Sequence, residues 1–150
     1  MCNKEEKMGY FDPCLYFSGN QFARHMNKIA EQAFENMDIT PTQGFTLILI
    51  SEKDKHSPSE IASQLEMKPS TITRFLDKLQ NLGYIEREYL GRKTRINITE
   101  SGSKKIDEIY KSWEEVHHIY TRILGEQMSE KLSREIIKAN KLLTEEEKKK

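Results

Sequence analysis

Apolar positions along the chain fall into six stripes with helical spacing and one short stretch that alternates. The sharpest stripe is Ile72, Phe75, Leu76, Leu79 and Leu82, spaced i, i+3, i+4, i+7, i+10, which predicts an amphipathic helix over Ser70 to Leu82. Its other face carries Ser70, Thr71, Thr73, Arg74, Lys78 and Asn81. Just upstream, Ser57-Pro58-Ser59-Glu60 has a capping serine, a proline at the first helical position and a glutamate that can reach back to the cap amide. A short helix should start there, with Ile61 and Leu65 on one face and Ala62 small enough for a second helix to cross closely. Glu66, Met67 and Lys68 make the turn, with Met67 as its apolar plug. Glu66 stands where glycine would most easily take a left-handed conformation. Gly83 ends the second helix, and the period then changes to alternation. Ile96 and Ile98 face one way, Arg95 and Asn97 the other, and Tyr84 to Tyr89 supplies the partner strand around a Leu90-Gly91-Arg92-Lys93 turn.

Helix, turn, helix and basic hairpin in that order predict a winged helix-turn-helix, a device for reading duplex DNA. An ordinary amphipathic helical hairpin would share the stripe but not the whole succession. On this reading Ser70, Thr71, Thr73, Arg74 and Lys78 enter the major groove, where short hydroxyls allow close approach and Arg74 can fork onto guanine O6 and N7. Arg92 and Lys93 on the turn, with Arg95 behind them, reach the phosphate backbone or minor groove.

The flanks hold the remaining stripes. Asp12-Pro13 caps a helix bearing Leu15, Phe22, Met26, Ile29, Ala33 and Met37, and Thr40-Pro41-Thr42-Gln43 caps a short, almost wholly apolar helix through Phe45, Leu47, Ile48, Leu49 and Ile50. The latter should lie at the centre of the fold. Thr99 caps a long helix with Ile106, Ile109, Trp113, Val116, Tyr120 and Ile123 in a heptad-like seam. A last helix starting near Ser129 shows Leu132, Ile136, Ile137 and Leu143, before a solvated tail from Glu145 to Lys150. A chain this short has too little bulk to enclose these terminal stripes by itself.

The run MKPSTITRFLDKLQNLGYIERE, followed by GRKTRINITESG, resembles the MarR family of bacterial transcriptional regulators, and the likeness extends over nearly the whole chain. Its marks are the Ser70-Thr71-x-Thr73-Arg74 recognition helix, the Leu82-Gly83-Tyr84-Ile85 exit, and the Ile96-Asn97-Ile98-Thr99-Glu100-Ser101-Gly102 close of the wing. The family's wing usually carries Asp-x-Arg; here Leu90-Gly91-Arg92 keeps the arginine and lacks the acid that orients it. The resemblance implies a mainly α fold with a small β-hairpin wing: one MarR-like domain over 1–150, with a winged-helix part at 40–99 and dimerisation helices at 12–37 and 100–147. It further implies a homodimeric repressor on a near-palindromic operator of double-stranded DNA, released by a small aromatic effector. An alternative is a thiol-based peroxide sensor: Cys14 lies in the first turn of a helix, where peroxide-sensing members place a reactive cysteine. Another is a winged-helix protein-interaction module without DNA binding.

Composition agrees without sharpening this. The 24 basic and 24 acidic residues of the 150 cancel, yet residues 68–98 hold seven cations against three anions, a local charge of +4. Such a surface on a more acidic body attracts phosphate locally while limiting non-specific sticking. No apolar run approaches membrane-spanning length and no secretory leader is visible, so a cytoplasmic chain with no membrane partner is expected. Two cysteines, Cys2 and Cys14, do not make a disulfide scaffold. His25, His56, His117 and His118 read as surface or hydrogen-bonded core residues, since no spacing suits a metal. No enzyme motif is present, and neither a catalytic site nor a cofactor is expected.

Overall fold

A computed structural model describes residues 14–53 and 56–149. Asp12 and Pro13, read as the cap of the first helix, lie outside the described residues, as does Cys2. Six helices and one hairpin follow in order: α1 (Leu15–Ala33), α2 (Pro41–Glu52), α3 (Pro58–Gln64), α4 (Pro69–Asn81), β1 (Ile85–Leu90), β2 (Lys93–Ile98), α5 (Glu100–Leu124) and α6 (Glu126–Glu147). The chain divides into two compact units, Ala30–Trp113 and the paired flanks Met1–Ile29 with Glu114–Lys150.

Local chemistry sets the helix starts of the first unit. Thr40 and Ser57 each accept from the amide three residues on, while Gln43 and Glu60 return a bond to the cap amide, so two orphan donors are satisfied at each end. Ile72, Leu76 and Leu79 of α4 are fully buried with Leu47 and Ile50 of α2, Ile61 of α3, Ile96 of β2 and Ile109 of α5. Each such side chain contributes about 1.5–3 kcal/mol of transfer free energy, which holds α4 by one face and leaves the other free. The strands pair antiparallel from Ile85 opposite Ile98 to Leu90 opposite Lys93. Tyr84, expected to begin the strand, is buried just ahead of it. His56 adds an isolated antiparallel bridge, its carbonyl accepting from the Ile96 amide at 2.7 Å, so the hairpin has a third backbone neighbour that the alternation did not foretell.

Other expectations are corrected here. α1 stops at Ala33, so Met37 lies in the following turn, where its sulfur accepts from the Ser112 hydroxyl at 3.1 Å. Phe45 of the apolar helix is half-exposed and stacks on Trp113 with ring centroids 4.1 Å apart, and Trp113 of the heptad-like seam also packs edge-on to Phe34 at 5.2 Å. His56 is buried, with neither ring nitrogen hydrogen-bonded.

In the flanking unit, α6 begins three residues before Ser129 and continues to Glu147, through the first half of the expected tail. Gly125 at φ +81° both ends α5 and opens α6, and the Ser129 hydroxyl donates to the Gly125 carbonyl at 2.7 Å instead of capping a helix. Val116 and Ile119 are buried, whereas no residue of α6 is. Phe22 and Met26 of α1, Tyr120 and Leu124 of α5, and Leu132, Ile136 and Ile137 of α6 line an apolar groove of about 220 Å³. No helix among the described residues is long and apolar enough to cross a membrane.

Candidate nucleic-acid interface

The α3–α4 turn fixes how α4 is presented. Glu66 takes φ +51°, a left-handed conformation that costs a residue with a Cβ about a kilocalorie or more. The turn recovers by bonding the Met67 amide to the Ala62 carbonyl at 2.9 Å and packing the Met67 side chain against the core. From that plug, Pro69 starts α4 at N1, and no side chain caps this end, in contrast to α2 and α3. The helix dipole favours an anion there, although Pro69 has no amide hydrogen and the Thr71 amide is bonded to the Lys68 carbonyl at 3.0 Å.

The predicted reading face is where the stripe leaves it. Ser70, Thr73, Arg74, Lys78 and Asn81 are exposed, and Thr71 is half-buried. The Thr73 hydroxyl donates to the Pro69 carbonyl at 3.0 Å, so its hydrogen is spent on the helix and its methyl and a lone pair remain to meet a base edge.

Gly91 at φ +61° occupies the first of two turn positions in the wing, the geometry of a type II′ hairpin whose twist matches its strands. Arg92 and Lys93 stand exposed at the tip; Arg95 is half-buried and, with both of them, lines an open polar cleft whose other wall is Ser57, Ser59 and Glu60 at the start of α3. Backbone amide and hydroxyl bonds from Ser57 hold the Glu60 carboxyl below its ordinary range. Among the described residues Arg74, Lys78, Arg92, Lys93 and Arg95 make no ion pair. The predicted residues thus form two groups, a hydroxyl-rich face with two cations on α4 and three cations on the wing.

Two braces hold these groups in place. Arg87 of β1 reaches Asp77 of α4 at 2.7 Å and ties the strand to the reading helix. At the exit of α4, the Thr99 hydroxyl donates to the Gly83 carbonyl at 2.6 Å and caps α5 by accepting from the Gly102 amide at 3.0 Å. Tyr84 beside it donates its hydroxyl to Asp38 at 2.6 Å, and Lys105 lies 3.4 Å from the same carboxylate, 2.7 Å from Glu108 and over the tyrosine ring. Partial desolvation pushes Asp38 up, but the tyrosine bond and the lysine charge outweigh it and leave its carboxyl below the ordinary range. Desolvation and the bond to Asp38 push the Tyr84 phenol up.

Cys14 is half-buried immediately before α1, its carbonyl accepting from the Ser18 amide and hydroxyl. Among the described residues, no cluster of His, Cys, Asp and Glu could hold a metal ion.

The family model described as "MarR family" matches residues 39–90, from the end of the α1–α2 turn to the end of β1. Over 106 residues the chain is 28% identical to the HTH-type transcriptional repressor MdtR of Bacillus subtilis, covering 67% of this chain and 68% of that one. A riboflavin kinase of Picrophilus torridus is 33% identical over 63 residues, 42% of this chain and 27% of the enzyme. Among solved structures, the transcriptional repressor CouR on a 23-mer DNA duplex superposes with a TM-score of 0.82 at 19% identity, over 91% of this chain and 99% of that one. CouR has also been solved with p-coumaroyl-CoA.

Proposed function

Because this chain belongs to the MarR family of transcriptional regulators, we propose that it is a homodimeric repressor of the cytoplasm that binds a near-palindromic operator and leaves it when a small aromatic molecule binds. The observation that carries this reading is the division of α4: a fully buried stripe of Ile72, Leu76 and Leu79 fixes the helix, and the exposed opposite face bears Ser70, Thr73, Arg74 and Lys78. A wing whose Arg92 and Lys93 make no ion pair among the described residues supplies the phosphate contacts that position such a helix. The function is binding and not turnover.

Dimerisation is supported by the flanks. α6 buries none of its 22 residues, while Ile136, Ile137, Leu142 and Leu143 on it, Ile123 on α5 and Leu15, Tyr16 and Phe17 on α1 are exposed. Apolar surface of that kind calls for a partner, and a second copy of the same helices is self-complementary. Two copies place two reading helices about one turn of DNA, roughly 10 base pairs, apart.

The test is selection of bound duplexes from a random pool by the full chain, followed by titration at two salt concentrations. Recovery of a palindromic consensus whose affinity falls steeply with salt is expected. A flat, salt-independent response would make the chain a protein-interaction module. Light scattering that gives 17.6 kDa at micromolar concentration would remove the dimer.

A further inference from the structure

The wing tip carries two large apolar side chains that its cations do not explain. Tyr89 is 69% exposed and Leu90 42% exposed, at the last two positions of β1, opposite Thr94 and Lys93. Successive strand residues point to opposite faces, so Tyr89 shares the face of Arg87, which reaches α4, and Leu90 points to the other. Both faces of the tip therefore end in an apolar group. A solvated hairpin tip gains nothing from that, and Leu90 holds the last paired position, directly behind the Gly91-Arg92 turn.

The charges around the tip select what can cover it. Around the tip Arg92, Lys93 and Arg95 outnumber the one nearby acid, Glu88, which lies opposite Arg95 across the hairpin, so the matching surface is anionic while offering an apolar slot between its charged rims. A minor groove has this chemistry, with phosphates along both rims and stacked bases whose edges can be parted by an apolar side chain.

We propose that Leu90 is a wedge that enters the minor groove beside the operator half-site, parts a base step and bends the duplex, with Tyr89 filling the groove from the opposite face of the strand and Arg92 and Lys93 gripping the flanking phosphates. This rests on the DNA-binding reading above and adds a shape preference to it: flexible pyrimidine–purine steps, TA or CA, are favoured under the wing although no hydrogen bond reads them. The tip geometry suits the task. The type II′ turn at Gly91 and the Arg87–Asp77 brace hold the strand against α4, so force applied at Leu90 is transmitted to the reading helix and not lost in a loose loop.

The experiment uses duplexes selected from a random pool by the wild-type chain, with fluorophores at both ends to read the bend and 2-aminopurine at each step flanking the half-sites to read unstacking. Wild-type protein is expected to bend the duplex by roughly 20–90° and to raise 2-aminopurine emission at one flanking step per half-site. Leu90→Ala should lose about half of that bend or more together with the emission rise, and Tyr89→Ala a smaller part, while both keep the phosphate-dependent salt slope. Exchanging the flanking TA for GC should weaken wild type severalfold and leave Leu90→Ala unchanged. Equal bends and equal emission for wild type and Leu90→Ala would overturn the wedge while leaving DNA binding intact. A wild-type chain that retains no duplex from the pool would overturn the DNA-binding reading itself. Both positions are exposed, so unaltered thermal unfolding of the variants is expected.

Discussion

Gly102, in the first turn of α5, is pressed against the carbonyl group of Tyr84: a Cβ on Gly102 would collide with the Tyr84 oxygen and come within 2.9 Å of its carbonyl carbon. That same carbonyl accepts from the Thr99 amide at 3.0 Å. The Thr-x-x-Gly signature that closes the wing is thus a joint, in which threonine caps α5 and bonds the end of α4, and glycine lets the helix approach the chain entering β1.

Gly102→Ala should therefore destabilise the protein by about 2 kcal/mol or more, because the obstacle is backbone and cannot rotate away. Gly19 of α1 is the control: nothing lies within 4 Å of its missing Cβ. Gly19→Ala should stabilise by about 0.5–1 kcal/mol, as expected in a helix interior. Chemical denaturation of the two variants measures both, and equal effects would remove the joint.

The Asp38–Tyr84–Lys105 contacts set a pH window for the same junction. Asp38 is held below its ordinary 3.8, so its contribution is present above that pH and is lost as pH falls through the depressed value. Tyr84 is raised above its ordinary 10.0, so its contribution is present below pH 10 and is lost as pH rises through the raised value. Denaturation midpoints should stay level between these limits and fall outside them. Asp38→Asn should flatten the acid limb and lower the midpoint at neutral pH; an unaltered acid limb would show that Asp38 does not govern it.

Much of this was written locally. The capping pairs Thr40–Gln43 and Ser57–Glu60, the α4 stripe and the Thr99–Gly102 signature are each legible because one turn of helix fixes the partners. What escaped is non-local or contrary to residue preference. Asp77 and Arg87 meet only once the wing folds back on α4, and Tyr84 finds Asp38 across 46 positions of sequence. The His56 bridge is a single residue with no period to detect, and Glu66 adopts a conformation that its side chain does not advertise. Ser129 misled because serine before an apolar run reads as a cap, whereas Gly125 already turns the chain at positive φ.

Arg92→Ala and Lys93→Ala should weaken binding to selected and random duplexes alike. Each removes one phosphate contact, so the slope of log affinity against log salt should fall by about one unit per substitution and by about two in the double variant. Asp77→Ala should act differently. It frees Arg87 without removing a wing cation, so its effect should appear in selectivity through a looser wing and not in the salt slope. Unchanged slopes in the Arg92 and Lys93 variants would take the wing out of the interface.

Arg74 is the group on α4 best suited to identify a base. Its guanidinium is exposed, makes no ion pair among the described residues, and sits on the second turn beyond the uncapped helix start. Forked onto guanine O6 and N7, it should account for about 1–3 kcal/mol at the selected site, so Arg74→Ala should lose that much there and relax discrimination at one position per half-site. Arg74→Lys keeps the charge but not the planar fork, so it should retain binding to random duplexes and still lose most of the discrimination. Thr73 beside it, its hydroxyl hydrogen committed to Pro69, offers a methyl to the thymine methyl. Thr73→Val should therefore be tolerated and Thr73→Ser should not. If Arg74→Ala weakened selected and random duplexes equally, the residue would be a phosphate contact, and base reading would have to come from the hydroxyl residues of α4.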